Sequence, residues 1–134
     1  MSSVLIIEDH PVNMKVTTHM LKMAGHTVLQ AFDAESGLKL ARAELPDIVL
    51  MDVMLPGMDG LAATVLLKRD PATAAIPVIA LTGIMEKSAE EECLAAGCDA
   101  YIAKPGNSVE LLLEVMASLL LKREAARTSS RPPV

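Results

Sequence analysis

Four short apolar runs, each closed by a polar or charged residue, limit the folds open to this chain more than any other feature. Val4-Leu5-Ile6-Ile7 ends in Glu8-Asp9, and Ile48-Val49-Leu50-Met51 ends in Asp52. Pro77 to Leu81 ends at Thr82-Gly83, and Asp99 to Ala103 ends at Lys104-Pro105. Runs of this length and branching are expected of strands buried on both faces. Thr27 to Ala31 is a fifth, less apolar run that suits a sheet edge.

Segments with helical signals separate these runs. Pro11 suits a first turn and Gly25 a left-handed cap, which predicts a helix to Ala24 with Met14 and Leu21 on its apolar face. Asp33 is a good N-cap for a second helix carrying Leu38, Leu40 and Ala41 and stopping near Pro46. Leu61 to Arg69 forms a third, closed by Asp70-Pro71. Ser88 with Glu91 reads as a capping box for a fourth, which Gly97 closes. Asn107 with Glu110 opens a fifth, in which Val109, Leu112, Leu113, Met116 and Leu120 repeat at helical spacing. From Arg123 the composition turns polar, which predicts a domain over residues 1–122 and a frayed tail over 123–134. Strand and helix alternate five times. That pattern calls for a doubly wound (βα)5 α/β fold, with a parallel sheet and right-handed crossovers.

A chain of 134 residues makes one domain with a proper core. Phe32 and Tyr101 are its only aromatic residues, so that core is aliphatic, with the nine methionines filling it. A net charge of −5 argues against a nucleic-acid surface. No apolar run is long enough for a bilayer, and Met1-Ser2-Ser3 leads straight into a strand without a signal segment. Cys93 and Cys98 fit neither a zinc pattern nor a disulfide framework. They read as two buried thiols of a soluble cytoplasmic protein. His10, His19 and His26 lack the partner spacing of a metal site or a triad.

The chemistry follows from where the runs end. In a parallel sheet, the carboxyl ends of the strands form one rim and a binding crevice. Glu8, Asp9, Asp52, Thr82 and Lys104 therefore converge. Three crowded carboxylates repel one another unless a cation intervenes, and a few oxygen ligands with room for water suit Mg²⁺. A carboxylate beside a divalent metal, a lysine and a hydroxyl is suited to accepting a phosphoryl group. An aspartate that merely caps a loop is the plainer reading of Asp52 alone, and the other rim residues outweigh it.

Over about residues 4–122 the chain resembles the receiver domains of two-component response regulators, the CheY-like family. Glu8 and Asp9 are similar to the family's acidic pair, and Asp52 in Met51-Asp52-Val53-Met54-Leu55-Pro56 to its phosphoacceptor. Thr82 resembles the switch hydroxyl, Tyr101 the switch aromatic, and Lys104 with a cis Pro105 the Lys-Pro pair. Glu8-Asp9-His10 followed by Asn13-Met14 is most similar to single-domain receivers of the DivK type and to hybrid-kinase receivers. The resemblance implies a flavodoxin-like sheet of order 2-1-3-4-5. It implies Mg²⁺ held by Asp9, Asp52 and the backbone carbonyl of Met54, with Glu8 acting through water. It implies transfer from the phosphohistidine of a histidine kinase or phosphotransfer protein to Asp52, which switches the face made by the fourth helix, fifth strand and fifth helix. Met85, Tyr101 and the outer side of helix 109–122 are that face's candidate residues for a downstream protein target. The protein is then a phosphoacceptor switch, monomeric or weakly dimeric, that binds neither nucleic acid nor membrane. It catalyses only its own phosphorylation and dephosphorylation.

Met54 and Ile84, two residues after Asp52 and Thr82, are apolar here and cannot orient a water, which predicts a slowly hydrolysed aspartyl phosphate. Gly106 stands where the family usually has a larger apolar residue. Three other classes are weaker. A phosphohydrolase needs a further general acid and a substrate cap, a pseudo-receiver would not keep the acidic cluster, and a flavin site needs aromatic residues to sandwich the ring.

Overall fold

Five parallel strands in the order β2-β1-β3-β4-β5 carry helices on both faces, as the alternation predicts. The computed structural model describes residues 2–53, 55, 57–82, 87–103 and 109–129. In chain order the elements are β1 (Ser3–Ile7), α1 (Pro11–Met23), β2 (Thr27–Ala31), α2 (Ala34–Glu44) and β3 (Ile48–Asp52). They continue as α3 (Gly60–Arg69), β4 (Val78–Thr82), α4 (Lys87–Ala96), β5 (Ala100–Ala103) and α5 (Val109–Ser129). Every residue of β3 is buried, whereas β2, at the edge, buries only Ala31.

The pleat divides the core in two. Leu5, Ile7, Val49, Met51, Val78 and Ala80 pack beneath α2, α3 and α4. Val4, Ile6, Ile48, Leu50, Ile79 and Leu81 pack against Met14 and Leu21 of α1 and Leu112 and Met116 of α5. Such strands must be apolar on both sides, which is why their sequences run without alternation. No helix among the described residues is long and apolar enough to cross a membrane.

Local signals account for most boundaries. Asp33 accepts a 2.7 Å hydrogen bond from the Ser36 N–H, which holds its carboxyl below the usual range. Asp59 accepts one of 2.8 Å from the Ala62 N–H. Gly25, at φ 92°, closes α1 in a left-handed turn, and the His26 N–H returns to the Leu21 carbonyl at 3.0 Å. α2 stops at Leu45, which takes φ 46°, outside the right-handed helical region that the following Pro46 disfavours. A left-handed leucine costs about 1–2 kcal/mol.

Two expectations change. Ser88 is the second residue of α4, which begins at Lys87, so it does not stand before the helix as a capping box requires. α5 runs on to Ser129 through the stretch read as a tail from Arg123. The Arg123 Nη1 donates to the carbonyls of Asp47 at 2.7 Å and Pro46 at 3.2 Å, an anchor across the fold that local composition does not reveal. Asn107 lies outside the described residues.

The two cysteines occupy one motif. Gly97 ends α4 at φ 109°, the Cys98 N–H reaches the Cys93 carbonyl at 3.0 Å, and the Gly97 N–H reaches that of Leu94 at 3.1 Å. This is a Schellman cap, in which the side chains three positions before and two after the helix end meet. Burial pushes the Cys93 thiol up to about 11 and raises Cys98 as well. Both are free and buried, as expected.

Close packing positions the loop after β3. A Cβ on Gly60 would collide with the Asp52 main-chain oxygen and sit 2.9 Å from the Val53 Cα. The Gly60 N–H also donates to the Val53 carbonyl at 3.0 Å. Gly60→Ala is therefore expected to lower stability by about 1–3 kcal/mol in urea unfolding, the range for overpacked sites. Cys93 should react with an aromatic disulfide at pH 8 about a hundredfold more slowly in the native protein than in urea, because its thiolate is scarce, and Cys98 should be slowed as well.

Candidate functional site

The site begins with the register of β1 on β3. Ile7 pairs with Met51, so the next residues, Glu8 and Asp52, emerge side by side. The opposite end of the same pair is pinned. The Ser3 N–H donates to the Asp47 carboxylate at 2.8 Å, and the Asp47 N–H donates to the Ser3 carbonyl at 2.9 Å. A one-residue slip would turn every side chain to the other face, so fixing one end fixes the other.

At the rim, one carboxylate oxygen each from Glu8, Asp9 and Asp52 lies within 4.8 Å of the others. Glu8 is 4% exposed and Asp52 7%, while Asp9 is open to solvent. The chain leaves β1 with the Glu8 N–H on the Ala31 carbonyl at 3.0 Å, and the His10 N–H approaches Glu8 Oε2 at 3.4 Å. His10 then stands as the N-cap residue of α1, without a side-chain cap of its own.

The other residues named from sequence fall into three groups. Thr82 ends β4 opposite Ala103, and Asp52 pairs with Leu81, so β4 reaches one row beyond the acid. Tyr101 pairs with Ala80, which pairs with Met51. It is thus two strands, about 10 Å, from the acidic cluster, and packs half-buried against the core beneath α2, α3 and α4. Met54, Lys104 and Pro105, with Ile84, Met85 and Gly106, lie outside the described residues.

Two features of the site were not visible in sequence. Gly60 reads there only as half of an Asp-Gly turn, yet its missing side chain lets α3 start against the Asp52 main chain. The His10 main-chain N–H beside Glu8 has no residue-type signal at all.

The donor set is chemically specific. Hard carboxylate oxygens without imidazole or thiolate suit Mg²⁺, Mn²⁺ or Ca²⁺ and not a soft metal. Two buried carboxylates beside a third repel one another, and a divalent cation relieves that repulsion. An exposed third member leaves room for the waters that Mg²⁺ retains.

Comparison with known proteins agrees with this geometry. Residues 4–116 match the family model of the response regulator receiver domain. The polar-differentiation response regulator DivK of Brucella anthropi is 40% identical over 118 residues, which cover 88% of this chain and 95% of that protein. A receiver domain of a sensor histidine kinase from Pseudomonas aeruginosa, solved with a magnesium ion coordinated in its active-site cleft, superposes with a TM-score of 0.82 at 32% identity, covering 89% of this chain and 97% of that one. A CheY-like receiver domain protein from Methanospirillum hungatei gives 0.86 at 28% identity, covering 94% and 98%. With its strand order, its rim of carboxylates and its sequence matched over most of its length, this chain belongs to the response regulator receiver-domain family of two-component signalling.

Proposed function

We propose that Asp52 is the phosphoacceptor of a Mg²⁺-dependent switch. One observation carries the reading: the Glu8, Asp9 and Asp52 carboxylates meet within 4.8 Å at the carboxyl ends of adjacent strands. In this reading Asp9, Asp52 and the Met54 carbonyl would hold Mg²⁺, and Glu8 would assist through water. When bound, the ion offsets negative charge on the phosphoryl oxygens.

The chain's own residues do the rest. An Asp52 carboxylate oxygen attacks the phosphorus of a phosphohistidine on a histidine kinase or phosphotransfer protein. A P–O bond forms, the P–N bond breaks, and the ring nitrogen leaves with the electron pair and takes a proton. Burial of Asp52 orients its oxygen and limits water around it. Lys104 pairs with one phosphoryl oxygen and the Thr82 hydroxyl donates to another. The added charge, about −1.5 to −2, favours one of two pre-existing arrangements.

The readout lies on the α4–β5–α5 face. When Thr82 moves toward the phosphoryl group, Tyr101 turns inward into the space released. Tyr101 is already half-buried on the side of the sheet that carries α4, which supports this route. A downstream protein reads the altered face, and the protein is a cytoplasmic phosphoacceptor switch without a substrate of its own to turn over.

Acetyl phosphate with Mg²⁺ is expected to add one phosphoryl group by intact mass, and Asp52→Asn or a chelator to abolish it. A mass gain that persists in Asp52→Asn overturns the assignment. The phosphorylated protein should decay slowly, and Met54→Asn should speed the decay by about tenfold or more by supplying a group that orients water. Decay that is already fast, or unchanged by the substitution, contradicts the role given to Met54.

A further inference from the structure

The longest carboxylate-free stretch of the chain, residues 10–32, folds into α1 and the edge strand β2. It holds all three histidines and two lysines in a protein of net charge −5. Lys15, His19 and Lys22 recur at spacings of four and three, which aligns them along one side of α1. That side borders a groove of about 400 Å³ between the helix and β2. Pro11, Met14, Thr18, Gln30 and Phe32 complete the lining, and no carboxylate contributes to it. Among the described residues, neither lysine has an ion-pair partner.

The strand beside this groove is undefended. Edge strands ordinarily carry lysine, proline or a bulge that blocks further pairing, and Thr27-Val28-Leu29-Gln30-Ala31 carries neither charge nor proline. Its main-chain direction can be read from its neighbours. The Thr27 N–H donates to Ser2 and the Ala31 carbonyl accepts from Glu8, so residues 27, 29 and 31 face β1. The main-chain groups of Val28 and Gln30 therefore point away from the sheet. The Gln30 Nε2 donates to the Thr18 hydroxyl at 2.9 Å, which fixes its side chain against α1. Phe32, the chain's one phenylalanine, is 48% exposed at the strand's end.

We propose that β2 and the Lys15–His19–Lys22 flank of α1 form a docking groove for an acidic extended segment of another protein, which adds to the sheet as a sixth strand. Main-chain bonds to Val28 and Gln30 supply the pairing, as in strand addition between a sheet edge and a helix. Acidic side chains on the α1 side meet Lys15, His19 and Lys22. This surface is separate from the acidic rim, and the proposal does not depend on the role of Asp52.

The test uses the full chain, a synthetic hexapeptide alternating glutamate and valine, and its lysine–valine counterpart. Amide NMR and hydrogen exchange are expected to show the acidic peptide shifting and protecting the Val28 and Gln30 N–H groups, with little change at Thr27 and Leu29. Lys15→Glu combined with Lys22→Glu should weaken binding by about tenfold or more. Gln30→Pro, which an edge strand tolerates, should abolish binding where Gln30→Ala does not. Equal binding of the two peptides, no change at millimolar acidic peptide, or shifts confined to other elements would each overturn the proposal. Concentration-dependent protection of Val28 and Gln30 without peptide would overturn it too, by identifying a second copy of the chain as the occupant.

Discussion

The parallel pairing of β1 with β3 is the interaction on which the rest of this molecule depends. It buries two strands whose side chains are apolar in both directions, and it delivers Glu8 and Asp52 to the same point where both strands stop. Carboxylates placed this way would be costly anywhere else in a core. Here they sit at the carboxyl ends of the strands, beside an Asp9 that is open to solvent.

The two ends of the sheet use the same side chain for opposite purposes. At the amino ends of the strands, Asp47 accepts from the Ser3 N–H at 2.8 Å and Asp99 accepts from the Val78 N–H at 2.8 Å. Lys68 Nζ adds a 3.0 Å contact to Asp99 and one of 2.8 Å to the Ile76 carbonyl. Those carboxylates are satisfied by neighbouring donors and hold the register. At the carboxyl ends, Glu8, Asp9 and Asp52 are gathered close to one another, where their charges favour a cation over more structure. A polar group at a strand end is informative only when its end of the strand is known.

Most of this was legible in the sequence because the signals are local. Strand burial shows as unbroken apolar runs, and Asp33 and Gly25 mark helix ends through their own side chain or lack of one. The acidic rim could be inferred because parallel pairing makes neighbours of the ends of β1 and β3. What stayed hidden depends on residues far apart. Gly60 matters through the Asp52 main chain, and α5 persists beyond residue 122 because Arg123 reaches the loop before β3. Ser88 misled in the opposite way, since a capping pattern names only a candidate and Ser88 lies inside α4.

Arg123 also bears on where such a domain should be cut. The family model matches residues 4–116, and a fragment trimmed to that match would look whole by sequence. It would nevertheless lack the guanidinium that fastens the last helix to the Pro46 and Asp47 carbonyls, at the entrance to the strand that carries Asp52. The boundary of that match and the boundary set by the Arg123 anchor are different, and the second holds the entrance of β3 at the end of the sheet opposite the rim.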